Sequence, residues 1–419
     1  MKSLIKKLIP PPAQHSILSG YHLMLAWLGS IAYRHPAREL FVLGVTGTKG
    51  KTTTVEIIRA ILERAGYKVA TTSTLHFTIA GVAMPNTYKM SMPGRFFMQH
   101  FLRKAVTAGC DYAILEITSE GATQHRHRFI DIDALIFTNL SPEHIEAHGS
   151  YEEYRQAKLA IAYELERSSK SNKTIITNSD DIEATRFLGI HVPNKKSYRT
   201  HDAEPIKRDT HGISITYEGF HIPSHLKGEF DIHNLLAAIT FARTQKIGLK
   251  YIAAAISAYQ GTRGRMEYVH KANEQAPFAV VVDYAHTPNS LEAVYRSIPG
   301  TKLCVLGATG GGRDKWKRPE FGKIATNYCD AIFLTNEDPY DENPERIIND
   351  IAQGIPNEAY NIIIDRREAI REALKAASTD STVVITGKGT DPYIMGPRGS
   401  KESWDDATIV REELAKLTL

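Results

Sequence analysis

The chain has 419 residues, of which 42% are hydrophobic and 23% are charged. This composition is typical of a soluble protein with two or three domains, each able to bury its own core. The net charge of +4 is small for this length, which argues against a nucleic-acid-binding protein. Three widely spaced cysteines, Cys110, Cys304 and Cys329, include no C-x-x-C pair, so we expect a protein of the reducing cytoplasm.

The segment before residue 39 differs from the rest of the chain. It carries Lys2, Lys6 and Lys7, then three prolines, then an apolar stretch over residues 17–33. That stretch is at the lower limit for a membrane span, and no signal-peptide cleavage site accompanies it. It predicts an amphipathic helix that packs on the following domain. Peripheral membrane contact through Tyr21, Trp27 and the lysines is the alternative.

A glycine-rich stretch follows an apolar run at residues 40–43 and precedes a predicted helix over residues 55–65. This order indicates a phosphate-binding loop, in which backbone N–H groups and a helix N-terminus hold phosphate oxygens. Lys51 would reach the β- and γ-phosphates, and Thr52 would offer its hydroxyl to Mg²⁺. Val45 stands where the common pattern has its first glycine. The residues predicted to bind the nucleotide here are Gly47, Thr48, Lys49, Gly50, Lys51, Thr52 and Thr53.

Short apolar strands alternate with helical segments along the remaining chain. Strands are predicted over residues 41–46, 112–117, 134–140, 174–178, 212–218, 279–284, 302–307, 331–335 and 382–387. This alternation indicates the α/β class, with parallel-rich sheets covered by helices on both faces. We predict a short N-terminal helical segment (1–38), a central P-loop ATP-binding domain (39–262) and a C-terminal Rossmann-like α/β domain (263–419). The second boundary is placed at the glycines of residues 261–264.

Several polar residues stand at positions where a ligand or metal site would need them, but each also has a purely structural or solvent-exposed interpretation. Glu116 ends a predicted strand, where open α/β sheets bind ligands and a carboxylate suits Mg²⁺, although a solvated glutamate is equally compatible. His144 and His148 share one face of a helix, which leaves a zinc site and plain helix-start polarity both open. Lys158 reads as a surface lysine on composition alone. Asp283 also ends a strand and could face a nucleotide or cap a helix.

Taken together, these segments resemble the Mur ligase family, the ATP-dependent amide ligases of peptidoglycan precursor synthesis. Within it they are most similar to the UDP-N-acetylmuramoyl-tripeptide synthetase branch. The matching motifs run in order from about residue 44 to residue 390, so the resemblance covers most of the chain. They are TGTKGKTT (46–53), LEITS (115–119), TQHR (123–126), TNL (138–140) continuing to HG (148–149), YRQAK (154–158), NLLAA (234–238), GRME (264–267), DYAHTP (283–288), GRDK (312–315), KRP (317–319) and GKG (387–389).

The resemblance implies an ADP-forming carboxylate–amine ligase. In that family ATP phosphorylates a substrate carboxylate, and the amine of an incoming amino acid attacks the acyl phosphate. Positioning and charge neutralisation would carry the phosphoryl transfer. Lys51, Glu116, His144 and Lys158 match the catalytic positions, and Thr52 joins the last three as a Mg²⁺ ligand. Lys158 matches a lysine that is carbamylated in the family, which overrides its reading as a surface residue.

The resemblance also assigns the substrate positions. Asn234, Arg265 and Asp283 match residues that contact the nucleotide. Thr118, Gln124 and Arg126 match residues that hold the acceptor, expected to be a carboxylate resembling a peptidoglycan precursor. We expect a cytoplasmic monomer that binds this acceptor and an amino acid and no nucleic acid.

Two departures from the family pattern change the expected substrates. The tripeptide synthetases carry an N-terminal domain of about a hundred residues that grips the uridine nucleotide. Only about 40 residues precede the phosphate loop here, too few for such a domain, so we expect another mode of acceptor recognition.

The second departure concerns the amino acid. The branch that adds meso-diaminopimelate has an Asp-Asn-Pro-Arg motif whose arginine binds the distal carboxylate. Residues 337–340 read Glu-Asp-Pro-Tyr instead, and Tyr340 cannot form the bidentate pair that arginine forms. Diaminopimelate bound in the usual way is therefore not expected. The predicted residues of the amino-acid pocket are Arg313, Lys315, Asp338 and Asp391.

Three alternatives remain at this point. A folylpolyglutamate-synthase-like ligase is the nearest, although residues 123–126 and 283–288 favour the tripeptide branch. A nucleotide-binding partner protein without turnover would not need a complete set of metal ligands. A nucleoside kinase or GTPase would not need the second α/β unit.

Overall fold

The computed structural model describes residues 11–143, 148–209, 211–269 and 277–417. The chain divides into two compact units. The first extends to Lys207 and includes Ser214–Ser224 and Ile232–Tyr259, and the second comprises Arg208–Ile213, His225–Asp231 and Gln260–Leu419. The predicted domain boundaries stay a prediction, since two short segments of the second unit lie within the first in sequence.

The first unit is built on an eight-stranded sheet, counted over the described residues, with strand order β4-β3-β2-β5-β1-β6-β7-β8. Its strands are β1 (Phe41–Thr46), β2 (Val69–Thr72), β3 (His76–Ile79), β4 (Val82–Pro85), β5 (Tyr112–Glu116), β6 (Ala134–Phe137), β7 (Thr174–Asn178) and β8 (Asn194–Tyr198). Its helices are α1 (Pro11–Ala32), α2 (Lys51–Arg64), α3 (Arg95–Thr107), α4 (Ser119–Thr123), α5 (Tyr151–Arg167), α6 (Ala184–Leu188), α7 (Asp231–Thr244) and α8 (Leu249–Ala258). Two 3₁₀ turns lie at Pro36–Glu39 and Thr200–Ala203.

The central strands of this sheet run parallel and are buried along almost their whole length. β5, β1, β6 and β7 are buried at all but one position, as expected when helices cover both faces. β1 pairs with β5 on one side and β6 on the other, so Val45 lies beside Glu116 and Thr46 beside Phe137. The carboxyl ends of three strands therefore meet at one edge, where ligands bind in open α/β sheets.

A small sheet follows, with strand order β11-β10-β9: β9 (Lys207–Arg208), β10 (Ile213–Tyr217) and β11 (Phe220–Ser224). The predicted strand over 212–218 corresponds to β10.

The second unit contains a six-stranded sheet within the described residues, with order β12-β13-β17-β14-β15-β16. All pairings are parallel except the one between β12 and β13. The strands are β12 (Glu267–Tyr268), β13 (Ala279–Asp283), β14 (Lys302–Leu306), β15 (Ala331–Leu334), β16 (Asn361–Ile362) and β17 (Thr382–Thr386), and a separate hairpin pairs β18 (Tyr393–Met395) with β19 (Lys401–Ser403). The helices are α9 (Pro288–Ser297), α10 (Lys317–Tyr328), α11 (Pro344–Ala352), α12 (Arg366–Ala376) and α13 (Asp406–Lys416), with 3₁₀ turns at Pro356–Glu358 and Pro397–Gly399.

Two apolar clusters cover this second sheet. One is built around Val281, Cys304 and Val384, and the other around Val282, Val305 and Ile385. Neighbouring residues of one strand thus point to opposite faces, as the pleat requires. The mixed α/β class with parallel-rich sheets is confirmed.

Cys304 in β14 and Cys329, just after α10, form a disulfide, and Cys110 is a buried free thiol. Their spacing in the sequence did not predict this pair.

Helix α1 packs one side against α3. A side chain at Gly29 would lie 3.6 Å from the Phe96 backbone, and the following turn is held by Arg103, which donates to the Tyr33 carbonyl oxygen (3.0 Å) and pairs with Glu39 (2.8 Å). The predicted packing helix is thus observed. In the part of the chain described here, no helix has the length and apolar character needed to cross a membrane.

Candidate active site

The glycine-rich loop between β1 and α2 is shaped by two close approaches of backbone to neighbouring side chains. Gly50 has φ +80°, and a Cβ atom there would lie 2.2 Å from Oδ1 of Asn234. A Cβ atom at Gly47 would lie 1.9 Å from Oγ1 of Thr138. Only glycine fits either position without displacing a neighbour. Asn234, predicted from the resemblance to contact the nucleotide, therefore lies directly against the loop.

Residues after β6 hold the loop from the other side. The Asn139 carbonyl oxygen accepts from the Thr48 amide (2.8 Å), and the Asn139 side chain accepts from the Lys49 amide (2.9 Å). The Thr48 hydroxyl lies 3.0 Å from the Tyr154 hydroxyl. These contacts fix the loop before any ligand arrives, which lowers the cost of ordering it around a phosphate.

Two lysines converge on the loop. Lys51 Nζ donates to the carbonyl oxygens of Gly47 (2.9 Å) and Thr48 (2.8 Å). Lys158 Nζ, on α5, donates to the same Gly47 oxygen at 2.8 Å. Lys158 is 1% exposed, so its reading as a surface lysine was wrong. Burial, and then the Lys51 cation, hold the pKa of Lys158 well below its usual value.

An oxygen pair lies at the start of α2. The Thr52 hydroxyl donates to Oε2 of Glu116 at 2.9 Å. The Thr74 hydroxyl lies 3.2 Å from the Thr52 hydroxyl, and the Thr74 amide donates to Oε2 of Glu116 at 3.3 Å. Hydroxyl and carboxylate oxygens are the ligands that Mg²⁺ prefers, so the donor set fits that ion. Among the described residues, here or in any other part of the chain, no group of three or more His, Cys, Asp or Glu side chains could hold a metal ion.

The fourth predicted metal ligand, His144, lies outside the described residues. His148, four residues later, is described: its Nε2 lies 3.1 Å from the Ser119 hydroxyl, and its ring is 5.2 Å from that of Tyr154. Burial, and then Lys158, lower the pKa of His148. No zinc site is formed by the described residues around His148.

The three predicted acceptor residues lie at and after α4. Thr118 caps α4, accepting from the Gly121 amide at 3.1 Å. Arg126 donates to Oε1 of Gln124 (2.7 Å) and to the Met92 carbonyl oxygen (2.6 Å). The structure thus brings Gln124 and Arg126 together, with Thr118 in the same segment.

In the second unit, Asp283 ends β13 and accepts from the amides of Met266 and Ala285, both at 2.7 Å. Burial raises the pKa of this carboxyl group, against the Arg265 cation. The Arg265 guanidinium lies 4.3 Å from the Tyr284 ring centroid. The two predicted nucleotide residues of this unit are therefore adjacent, and Asp283 caps no helix.

The predicted amino-acid pocket contains an ion-pair network that its sequence did not reveal. Lys388, 1% exposed, donates to Asp338 (2.9 Å), Asp391 (2.8 Å) and the Tyr393 carbonyl oxygen (2.6 Å). Lys315 lies 3.5 Å from Glu342 and is mostly exposed.

Arg313, the remaining predicted pocket residue, acts electrostatically on Tyr340. Burial, then Asp338, raises the pKa of Tyr340, while the Arg313 cation opposes this. The Tyr340 ring also covers Gly311, where a Cβ atom would lie 2.8 Å from it.

Three of these residues were missed by sequence reasoning. Asn139 and Tyr154 stood within recognised motifs without an assigned role, and Thr74 stood in none. A preference for Asn after a strand end could have suggested Asn139, but the contacts of Tyr154 and Thr74 depend on tertiary packing.

A phosphate loop with two convergent lysines, an oxygen pair at its helix start and a second parallel α/β unit define a P-loop ligase. Residues 45–242 match the Mur ligase middle domain, and residues 264–389 match the Mur ligase glutamate ligase domain. The chain belongs to the Mur ligase family and is an enzyme, an acid–amino-acid ligase.

Its relatives include UDP-N-acetylmuramoyl-L-alanyl-D-glutamate–2,6-diaminopimelate ligases. That of Syntrophomonas wolfei is 35% identical over 405 residues, covering 93% of this chain and 81% of the relative. That of Gloeobacter violaceus is 36% identical over 406 residues, covering 93% and 80%. The predicted family membership is confirmed.

Two solved structures have the same fold. A diaminopimelate ligase of this name superposes with a TM-score of 0.60 at 28% identity, covering 90% of this chain and 78% of that one. Mycobacterium tuberculosis folylpolyglutamate synthase gives a TM-score of 0.69 at 15% identity, covering 87% and 92%. The second likeness is one of fold alone.

Proposed function

We propose that this Mur ligase joins the amino group of an amino acid to a carboxylate of a peptidoglycan-precursor-like acceptor, with hydrolysis of ATP to ADP and phosphate. The observation that carries the proposal is one site in which a phosphate loop, Lys51, the Thr52–Glu116 pair and the buried Lys158 converge. Relatives whose names specify an acyl-amino-acid acceptor and an amino acid support the substrate class.

The reaction takes two steps. A carboxylate oxygen of the acceptor attacks the γ-phosphorus of ATP, the bond to the β,γ-bridging oxygen breaks, and ADP leaves. The neutral amine then attacks the acyl carbon, phosphate leaves with the carbon–oxygen bond electrons, and the amine loses a proton. Lys51 would neutralise charge on the transferred group, and the backbone amides of the loop would hold its oxygens.

Mg²⁺ suits the oxygen donors of Thr52 and Glu116, with His144 and Lys158 as further predicted ligands. The ion would supply charge neutralisation at the phosphates. Lys158 would contribute as a carbamate, formed when its neutral amine attacks CO₂ and releases a proton. Its burial favours the neutral amine that this reaction needs.

The amino acid is proposed to differ from diaminopimelate bound through an arginine. Tyr340 stands at the position of that arginine and has φ +51°, with its ring against Gly311. A phenol cannot form the two parallel N–H···O bonds that hold a carboxylate.

We further propose that α1 contacts an anionic membrane surface, and that the protein is a cytoplasmic monomer. The outer side of α1 exposes large apolar side chains that nothing in the described structure covers: Ile17, Leu18, Tyr21, Met24, Trp27, Leu28 and Ile31. Residues 1–38 carry five Lys and Arg residues and no Asp or Glu. Arg38 is paired with Asp131 at 2.9 Å, but the segment still carries an excess of positive charge. Exposed apolar side chains that include Tyr21 and Trp27, together with this excess of positive charge, match the chemistry of an anionic lipid interface.

The membrane contact is tested by vesicle flotation of the full chain. It should float with phosphatidylglycerol vesicles and fail to float with phosphatidylcholine vesicles, and the Trp27→Ser variant should float less. Flotation that is equal for both lipids and unchanged by Trp27→Ser would contradict the proposal.

The ligase function is tested with ATP, Mg²⁺, a panel of amino acids, and muropeptide and folate acceptors, measuring phosphate release and amide product together. We expect product only with a muropeptide acceptor, and none from Lys51→Met. Lys68→Met, an exposed lysine after α2, serves as the matched control and should keep full activity. ATP hydrolysis that never incorporates an amino acid refutes the ligase function, and incorporation into folate alone would replace it by the folylpolyglutamate-type reaction.

A further inference from the structure

A cluster of four basic side chains lies in the first unit, where α1 meets α3 and the segment after α4. Its members are His22 on α1, Arg95 at the start of α3, and His125 and Arg126 after α4. His125 is linked to α1 by a hydrogen bond of 2.7 Å between its Nε2 and the Ser19 hydroxyl. Three separate segments thus direct basic groups to one place.

Within the described part of the chain, no acidic side chain pairs with either guanidinium group of this cluster, although the charge of the exposed Glu120 partly offsets the effect of burial on the pKa of Arg126. Arg126 is only 9% exposed. Arg95 donates to the Gln124 carbonyl oxygen and to the His22 ring. Among the described residues, neither arginine forms an ion pair, and the Nε atom of each is buried without a hydrogen-bond partner. Buried polar groups are almost always paired, so each of these atoms calls for an explanation.

The orientation of His22 adds a donor. Arginine can only donate hydrogen bonds, so Nδ1 of His22 accepts from Arg95 and the ring proton lies on Nε2. An N–H donor on α1 therefore belongs to the same cluster as the two guanidinium groups.

The electrostatics of the cluster are unfavourable without a counter-charge. Burial, and then the Arg126 cation, lower the pKa of Arg95. Burial, and then Arg95, lower the pKa of His22. Like charges gathered in a partly dry place are destabilising unless an anion joins them.

We propose that His22 and Arg95 complete, with Arg126, a binding site for a carboxylate or phosphate group of the acceptor. Planar guanidinium forks match either oxyanion bidentately. The inference rests on the proposed function for the identity of the acceptor, because Arg126 and Gln124 match acceptor positions. Neither His22 nor Arg95 belongs to any matched motif, so α1 supplies an acceptor-binding group from before the phosphate loop.

The test is calorimetric titration without ATP, so that binding is measured apart from turnover. Three probes separate the sources of the anion: N-acetylmuramoyl-L-alanyl-D-glutamate has carboxylates only, UDP has phosphates only, and UDP-N-acetylmuramoyl-L-alanyl-D-glutamate has both. Arg95→Gln should weaken binding of the first and third probes by about 10- to 100-fold, the value of one charged hydrogen-bonded contact. Arg95→Lys, which keeps the charge, should lose less. Lys104→Gln removes an exposed charge from the same helix and should bind as the wild type does.

Weakened binding of UDP instead would keep the site and assign it to a phosphate. Unchanged binding of all three probes in Arg95→Gln, or no binding of any probe to the wild type, would overturn the site. A folded Arg95→Gln protein is verified by its thermal transition, and Arg95→Lys gives the same comparison if Gln does not fold. The outcomes for the two proposals differ: a protein that binds the probes but forms no amide contradicts only the ligase function, and one that forms amide with unaltered probe binding in Arg95→Gln contradicts only the site.

Discussion

Replacing Lys388 by methionine should destabilise the second unit strongly. The lysine is almost fully buried and its ammonium holds two carboxylates, those of Asp338 and Asp391. Burial alone would lower the pKa of Lys388, but the two carboxylates outweigh it and raise the pKa. A raised pKa means stability that is complete below the unfolded value, about 10.4, and is lost only as the pH rises through the folded value. The full effect is therefore present at pH 7.

The expected size follows from the charges left behind. Removing one partner of a buried ion pair costs about 3–5 kcal/mol, because the remaining charge stays buried and unpaired. For a unit of this size about 2–4 °C is lost per kcal/mol, so the melting temperature should fall by about 6–20 °C. Urea denaturation at pH 7 gives the free energy of unfolding directly. The amino-acid KM should rise as well, because Asp338 and Asp391 lose the group that orients them.

Lys315→Met is the matched control. It removes one ion pair of the same unit, but the lysine is 55% exposed and lies 3.5 Å from Glu342, so we expect a loss below about 1 kcal/mol. The triple variant with Asp338→Asn and Asp391→Asn should recover part of the stability lost in Lys388→Met. Equal losses in the two lysine variants, or no recovery in the triple variant, would show that buried charge is not the cause.

Three further predictions concern the active site. Lys158→Ala should reduce amide formation by at least about 100-fold without rescue by added bicarbonate, and a fully active variant would exclude the carbamate. Gly50→Ala should destabilise the chain more than Gly66→Ala in urea denaturation and weaken ATP binding in a titration, because both glycines have positive φ but only the first meets another side chain; equal effects would exclude the Asn234 contact as the cause. Tyr340→Arg should increase diaminopimelate incorporation over that of the wild type in the amino-acid panel, and no change would show that residue 340 does not select the amino acid.

The sequence predicted most central strands of the two large sheets because buried parallel strands are mostly apolar. It did not predict β2 or the strands β3, β4, β8, β12 and β16. The predicted strands over residues 41–46 and 174–178 agree with β1 and β7 at both ends. The predicted strand over 134–140 ends three residues early, at Phe137, because the following residues turn to hold the phosphate loop. The helix after that loop was predicted to begin at residue 55 but begins four residues earlier, at Lys51. Its first turn contains three threonines, which have a low helix propensity and therefore did not indicate a helix.

Side-chain networks were not predictable in the same way. Lys388 stood in a recognised GKG motif, but no local pattern shows that its ammonium reaches Asp338, 50 residues away. His22 and Arg95, 73 residues apart, carry no signal in their own segments. Burial, which distinguishes Lys158 from a surface lysine, is likewise set by the fold and not by neighbours in the sequence.

Helix α1 joins two proposed roles whose residues lie on different sides. Its inner side packs on α3 and carries Ser19 and His22, while its outer side exposes Tyr21 and Trp27. Tyr21 also contacts the His22 ring, with the ring centroids 5.8 Å apart, but positions 22 and 27 point about 140° apart on the helix, so the Trp27 side can be altered without changing His22. A helix that is merely a packing element has no reason to leave large apolar residues exposed on one side and a basic group among unpaired guanidiniums on the other. The arrangement is the one expected if the residues before the phosphate loop both hold the enzyme at an anionic surface and help to bind the acceptor there.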